Sequence, residues 1–144
     1  MKLLELDDTI DAYDRALAEI VKGDAEPLKA LYSHRDDVTV SNPWGPTRRG
    51  WADVALAVER AASQFRDGGP QSTPHDTLAR WESGDLAFLV QNERWQARVG
   101  GREQISPFEL RVTTLFRRDG DDWQVIHRHA DPITQPGSTG VLGT

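Results

Sequence analysis

Cysteine is absent from this chain, which rules out disulfides, thiolate catalysis and zinc held by sulfur. Basic residues are in the minority: 17 Lys and Arg stand against 23 Asp and Glu, for a net charge of −6. Phosphate backbones are bound by basic faces, so a nucleic-acid partner is not expected. No apolar run approaches the ~20 residues of a membrane span. The opening Met1-Lys-Leu-Leu-Glu-Leu-Asp-Asp8 lacks the apolar run and cleavage site of a secretion signal. No membrane partner is expected, and the reading is a cytoplasmic, soluble protein. Phosphate-cradling glycine loops are missing too, since neither Gly-x-x-x-x-Gly-Lys-Ser/Thr nor a strand followed by Gly-x-Gly-x-x-Gly occurs. What is present, 38% hydrophobic and 28% charged residues in 144, suits one globular domain.

The periodicity of the apolar residues sets an order of elements. Asp7 or Asp8 is placed to cap a helix with the stripe Ile10, Tyr13, Leu17 and Ile20, which Gly23 ends. Asp24 caps a short second helix that tolerates Pro27 in its first turn and turns Leu28 and Leu31 inward. Val38–Asn42 alternates as a strand and Pro43-Trp-Gly-Pro46 breaks it. A third helix runs from Trp51 through Val54, Val58 and Ala62 to Phe65, and Gly68-Gly-Pro70 stops it. Strands follow over Asp76–Glu82, Leu86–Arg98, Gln104–Arg118 and Asp122–Asp131, with Asp119-Gly120 as a hairpin signal. The predicted order is α-α-β-α-β-β-β-β. Its natural packing is an α+β domain, a curved antiparallel sheet with three helices from the N-terminal half on one face. The domain is expected over residues 1–133, with 134–144 as a flexible tail.

The last strand carries most of the chemistry. Strict alternation puts Trp123, Val125, His127, His129 and Asp131 on one face, apolar at one end and ionisable at the other. That blend suits a pocket wall. In the register that sets Phe116 beside Trp123, His127 lies by Val112 and His129 by Leu110, and desolvation there favours the neutral imidazole. Thr114 shares the face of Phe108, Leu110, Val112 and Phe116. Glu93 falls with Ala87, Leu89, Gln91 and Trp95, so it is expected to be partly buried and to need a partner, which Arg111 or Arg94 can supply. His-x-His with Asp131 has strand-ligand spacing, yet a third strong ligand has to come from elsewhere. No metal and no cofactor are expected.

The order of elements resembles the NTF2-like superfamily, and within it the SnoaL-like and ketosteroid-isomerase-like branch. The residues that carry the resemblance are Gly23-Asp24, Asp37-Val-Thr-Val-Ser-Asn-Pro-Trp-Gly45, Arg49-Gly50 and the final Trp123…His127-Arg-His129. It implies a cone-shaped fold with an enclosed pocket and a homodimer formed through the outer sheet face. In ketosteroid isomerases a carboxylate base directly precedes the proline that matches Pro43; here that residue is Asn42, which cannot abstract a proton. Tyr13 stands about a turn early for the oxyanion-binding tyrosine, and the partner position falls near Thr113 or Thr114. Steroid isomerisation is therefore not implied.

Three readings remain open. The first is a small cyclase, isomerase or lyase acting on a small apolar carbonyl compound. In it His127 or His129 moves the proton while Asn42 and Tyr13 polarise oxygen, with Trp44, Glu93, Arg111, Val112, Thr114 and Asp131 lining the site. The second is a binding module with the same pocket and no chemistry. The third is an association domain whose partner is a second copy of the chain.

Overall fold

The computed structural model describes residues 5–133; the expected tail lies outside them. Three helices, α1 (Leu6–Ile20), α2 (Glu26–Leu31) and α3 (Trp51–Ser63), cover one face of a seven-stranded sheet. The strands are β1 (Thr39–Ser41), β2 (Arg48–Arg49), β3 (Phe65–Pro70), β4 (Asp76–Ser83), β5 (Leu86–Val99), β6 (Ser106–Asp119) and β7 (Asp122–Pro132). They lie in the order β2-β1-β7-β6-β5-β3, and β4 also pairs with β5. The sheet is antiparallel except where β1 runs parallel to β7. This is the expected α+β architecture, a curved and unclosed sheet under three helices.

Two short strands were not expected. Arg48–Arg49 pairs with β1, and Phe65 opens β3 instead of closing α3, which ends at Ser63. Gly68 explains why β3 holds to α1. Its amide donates to the Val21 carbonyl at 2.9 Å, and a Cβ at this position would lie 2.3 Å from that oxygen and 2.8 Å from the Ala97 Cβ. Only glycine permits so close an approach.

The helix caps follow the sequence in part. Asp7 and Asp8 sit in the first turn of α1 behind Glu5, where negative charge favours the helix dipole. The cap of α2 is Ala25, not Asp24; Asp24 stands one residue earlier, where its Oδ1 accepts from the Glu26 amide at 3.0 Å. The apolar stripes of α1 and α3 bury Tyr13, Leu17, Ile20, Val54, Val58 and Ala62 in one core cluster with residues of β1, β3, β5, β6 and β7.

One irregularity governs the interior. Val125 pairs with Phe116, but His127 pairs with Leu115, so Ile126 is an extra residue in β7. Such a bulge reverses the alternation that follows it. Trp123 and Val125 face inward as expected. Beyond the bulge it is Arg128 and Ala130 that are buried, while His127 and His129 turn to the outer face of the sheet. The expectation that the imidazoles share the face of Trp123 is thereby corrected. The expected register also shifts: His129 stands opposite Thr113, and Val112 opposite Ala130.

Candidate functional site

At the centre of the cone lies a charged network built on Arg128, the one member that strict alternation would have placed outside. Glu93, with none of its surface exposed, faces Arg128 across the curved sheet. Arg128 Nη1 donates to Glu93 Oε2 at 2.8 Å and Nη2 to Oε1 at 2.9 Å, a two-pronged pair. Trp95 Nε1 donates to the same Oε1 at 2.9 Å. Arg128 Nη1 also reaches the Tyr13 hydroxyl at 2.7 Å, and that hydroxyl lies 2.7 Å from Thr114 Oγ1. With a cation donating into its oxygen, the phenol turns its own proton toward Thr114.

The electrostatics follow from this geometry. Burial pushes the Glu93 carboxyl up, but the charge and hydrogen bonds of Arg128, with Trp95, outweigh it and hold the group below the usual carboxylate range. Burial raises the Tyr13 phenol, against the opposing charge of Arg128. Tyr32 is also pushed up by burial, and its hydroxyl is buried without a hydrogen-bond partner. The interior thus holds an ionised carboxylate, a guanidinium and two protonated phenols. None of the four is a free base.

Above this network is a cavity of about 60 Å³, walled by Leu17, Leu28, Tyr32, Val58, Trp95 and Arg128 among others. The enclosed pocket expected from the sequence is therefore small beside the roughly 300–1,000 Å³ of ordinary ligand sites. Its ceiling is aromatic. Trp44 meets Phe65 edge-on at 5.3 Å, and Phe65 stacks on Phe108 at 5.3 Å. Trp44, Pro43, Phe65, Phe108 and Leu110 line this cavity and also an open groove of about 540 Å³ on the far side, bounded by Gln64, Gly100, Arg102 and Ser106. The two spaces are separated by this thin layer, and Pro43 and Trp44, on the loop after β1, are its exposed members.

The sequence-predicted residues divide into three places. Tyr13, Glu93, Thr114 and Val112 are inward, the first three in the network and Val112 buried beside it. Asn42 and Trp44 border the inner cavity, where Asn42 Oδ1 accepts from the Trp44 amide at 3.0 Å and fixes the loop. His127, His129, Arg111 and Asp131 lie on the outer face. There His127 Nδ1 is 2.7 Å from Thr39 Oγ1, His129 Nε2 is 2.8 Å from Asp131, and Arg111 stands 3.9 Å from Asp131. Burial, then the neighbouring His129, lower the pKa of His127. Neither proposed cation reaches Glu93: Arg94 pairs with Asp76 and Glu109, and Arg111 with Asp131. Arg128 was missed: it reaches Glu93 from β7 across the intervening β6, and alternation in β7 puts it on the other face.

Among the described residues no group of three or more His, Cys, Asp or Glu is placed to hold a metal ion. Among the same residues no helix is long and apolar enough to cross a membrane.

Comparison with known proteins agrees with this architecture. Residues 10–134 match the sequence profile of the SnoaL-like domain. The structure is similar to a nuclear transport factor 2 (NTF2-like) superfamily protein from Salmonella enterica, with 17% identity and a TM-score of 0.73 over 92% of this chain and 91% of that one. It is similar to a ketosteroid isomerase-like protein from Erwinia carotovora atroseptica, with 17% identity and a TM-score of 0.68 over 90% and 95%. It is also similar to an NTF2-like protein with a cystatin-like fold from Novosphingobium aromaticivorans, with 20% identity and a TM-score of 0.63 over 96% and 85%. At these identities the likeness concerns the fold alone. No curated protein matches the sequence.

Proposed function

The chain belongs to the SnoaL-like domain family, and from that premise we propose that it is a small-molecule-binding domain that takes a modest apolar organic molecule at the mouth of its cone. The observation that carries this reading is the aromatic layer of Trp44, Phe65 and Phe108 between the inner cavity and the open groove. The groove falls within the roughly 300–1,000 Å³ of small-molecule sites, and its lining of aromatic and aliphatic residues with few polar ones matches theirs. Movement of Trp44 joins it to the inner cavity.

The reading as a cyclase, isomerase or lyase has less support. His127 and His129 lie on the opposite face from the cavity, and Tyr13 is occupied by Arg128 and Thr114. The test is binding of phenylnaphthylamine, a neutral aromatic probe that fluoresces in apolar surroundings. We expect one site per chain, lost in Ser106→Trp, whose ring fills the groove beside Trp44. Absence of binding, or equal binding by the filled variant, overturns the reading.

Self-association is a second, compatible reading, favoured by the outer face of the sheet. Leu78 is 61% and Trp81 49% exposed there, Trp81 stacks on Phe88 at 5.8 Å, and Leu78 borders a groove with Val90, Thr113 and His129. Exposed apolar residues gathered on one face mark a partner site, and a second copy of the chain is the proposed occupant. Light scattering should give a dimer that Trp81→Lys dissociates; a monomeric wild type overturns it.

A further inference from the structure

The mouth of the cone differs in charge from the rest of this acidic chain. Arg48 and Arg60 line one small cleft with Trp44, Asn42 and Ala61, and no carboxylate contributes to that lining. Across Trp44, Arg102 borders the larger groove, and Arg66, which is not part of that lining, donates from Nη2 to the Arg102 carbonyl at 2.9 Å. Among the described residues none of these four has a carboxylate partner, whereas Arg80, Arg94, Arg98, Arg117 and Arg128 are all ion-paired. The other unpaired arginines are placed differently: Arg49 donates to the Asp36 carbonyl, Arg118 lies over the Trp123 ring, and Arg15 is on α1. One acidic residue, Glu109, borders the larger groove, and Arg94 engages it at 3.5 Å.

We infer that the mouth selects an amphiphilic organic anion: the apolar body lies against Trp44, Phe65 and Phe108, and the acidic head is held by the collar of Arg48, Arg60, Arg66 and Arg102. The inference rests on the pocket reading and adds the chemical class of its ligand. Three unpaired guanidinium groups lining the opening, Arg48, Arg60 and Arg102, with Arg66 bonded to the Arg102 backbone, focus a positive potential there, within a molecule whose net charge of −6 otherwise repels anions. Guanidinium also suits the flat, forked geometry of a carboxylate, and charge-assisted bonds of this kind are stronger than neutral ones. The interior supplies no charge for the head, because Arg128 is neutralised by Glu93. The acidic end therefore stays at the rim and the apolar end points inward.

The experiment pairs two probes of one shape. Anilinonaphthalenesulfonate is an anion, and phenylnaphthylamine is the same ring system without the sulfonate. Calorimetry on the wild type should show tighter binding of the anion, weakening as salt is added. Arg48→Gln/Arg60→Gln and Arg66→Gln/Arg102→Gln should each weaken the anion about tenfold, with the fourfold variant weaker still, since hydrogen bonds to charged groups are worth this much or more. Phenylnaphthylamine should change by less than about twofold. The matching Lys variants keep the charge and should retain most of the anion affinity. If the Gln variants bind the anion as the wild type does, the collar is overturned and the pocket stands. If the Gln and Lys variants lose both probes alike, charge is not the cause and the collar is again overturned. If the wild type binds neither probe, pocket and collar fall together.

Discussion

The two faces of β7 carry the same kinds of residue to opposite ends. Inside, Arg128 is buried, ion-paired to Glu93 and bonded to Tyr13. Outside, one residue away on either side, His127 is half-buried beside Thr39, and His129 is exposed beside Asp131. The difference comes from a single extra residue, Ile126. A strand's alternation assigns faces only up to its first bulge, and here the bulge decides which ionisable group enters the core.

Deleting Ile126 is the most severe way to break this contrast. Unbroken alternation would drive His127 inward and Arg128 outward, leaving Glu93 buried and unpaired. We expect a loss at least as large as that of Arg128→Leu, which should cost about 3–5 kcal/mol, the range for removing one partner of a buried ion pair. Urea denaturation measures both. Glu93→Leu/Arg128→Leu should recover much of the loss, because the double change leaves no unpaired charge.

Acid sharpens the same comparison. The folded-state pKa of Glu93 is depressed, so its contribution is present above the unfolded carboxylate value and is lost as pH falls through the lower folded value. Melting curves across that window should fall more steeply for the wild type than for the double Leu variant. His127 is also depressed, so folding favours its neutral form. That contribution is present above its ordinary value and lost as pH falls through the folded one. His127→Ala should flatten the wild-type curve slightly in the region below neutrality.

Trp44→Ala tests the layer between groove and cavity. Trp44 is 47% exposed, so we expect no more than about 1 kcal/mol of destabilisation and faster release of phenylnaphthylamine in stopped flow. The smallest effect belongs to His129→Ala. With its ring exposed on the outer face, stability should change by about 0.5 kcal/mol or less, with probe binding unaltered. A large loss of binding there would return the imidazole to the site.

Much of the fold was legible because its signals are local. The α1 stripe, the Asp119-Gly120 hairpin and the inward run Phe108, Leu110, Val112, Thr114 and Phe116 all appear where periodicity places them. The two short strands escaped because two residues of β2 carry no period, and Phe65 suits a helix stripe and a strand start equally. The site was less legible. Glu93 was correctly turned inward, and Tyr13 and Thr114 were correctly placed on inward faces, but alternation puts Arg128, which joins Glu93 to Tyr13, outside. A bulge leaves no mark in composition, and Val125-Ile126 reads as ordinary strand. The one clue was indirect: Ala130, small and apolar, suits an interior wall better than the exposed His129 does.

The hydroxyl of Tyr13 is tied to residues 101 and 115 positions further along the chain, Thr114 and Arg128. During synthesis, then, the first helix emerges with its phenol and must wait for almost the whole sequence before the groups that satisfy it exist. Closing so long a loop is an entropic toll that slows acquisition of the native state. A nascent chain halted before β7 would display its greasy concave surface to whatever holds unfinished polypeptides in the cell, so this protein's exposure to aggregation is greatest just before its last strand is made.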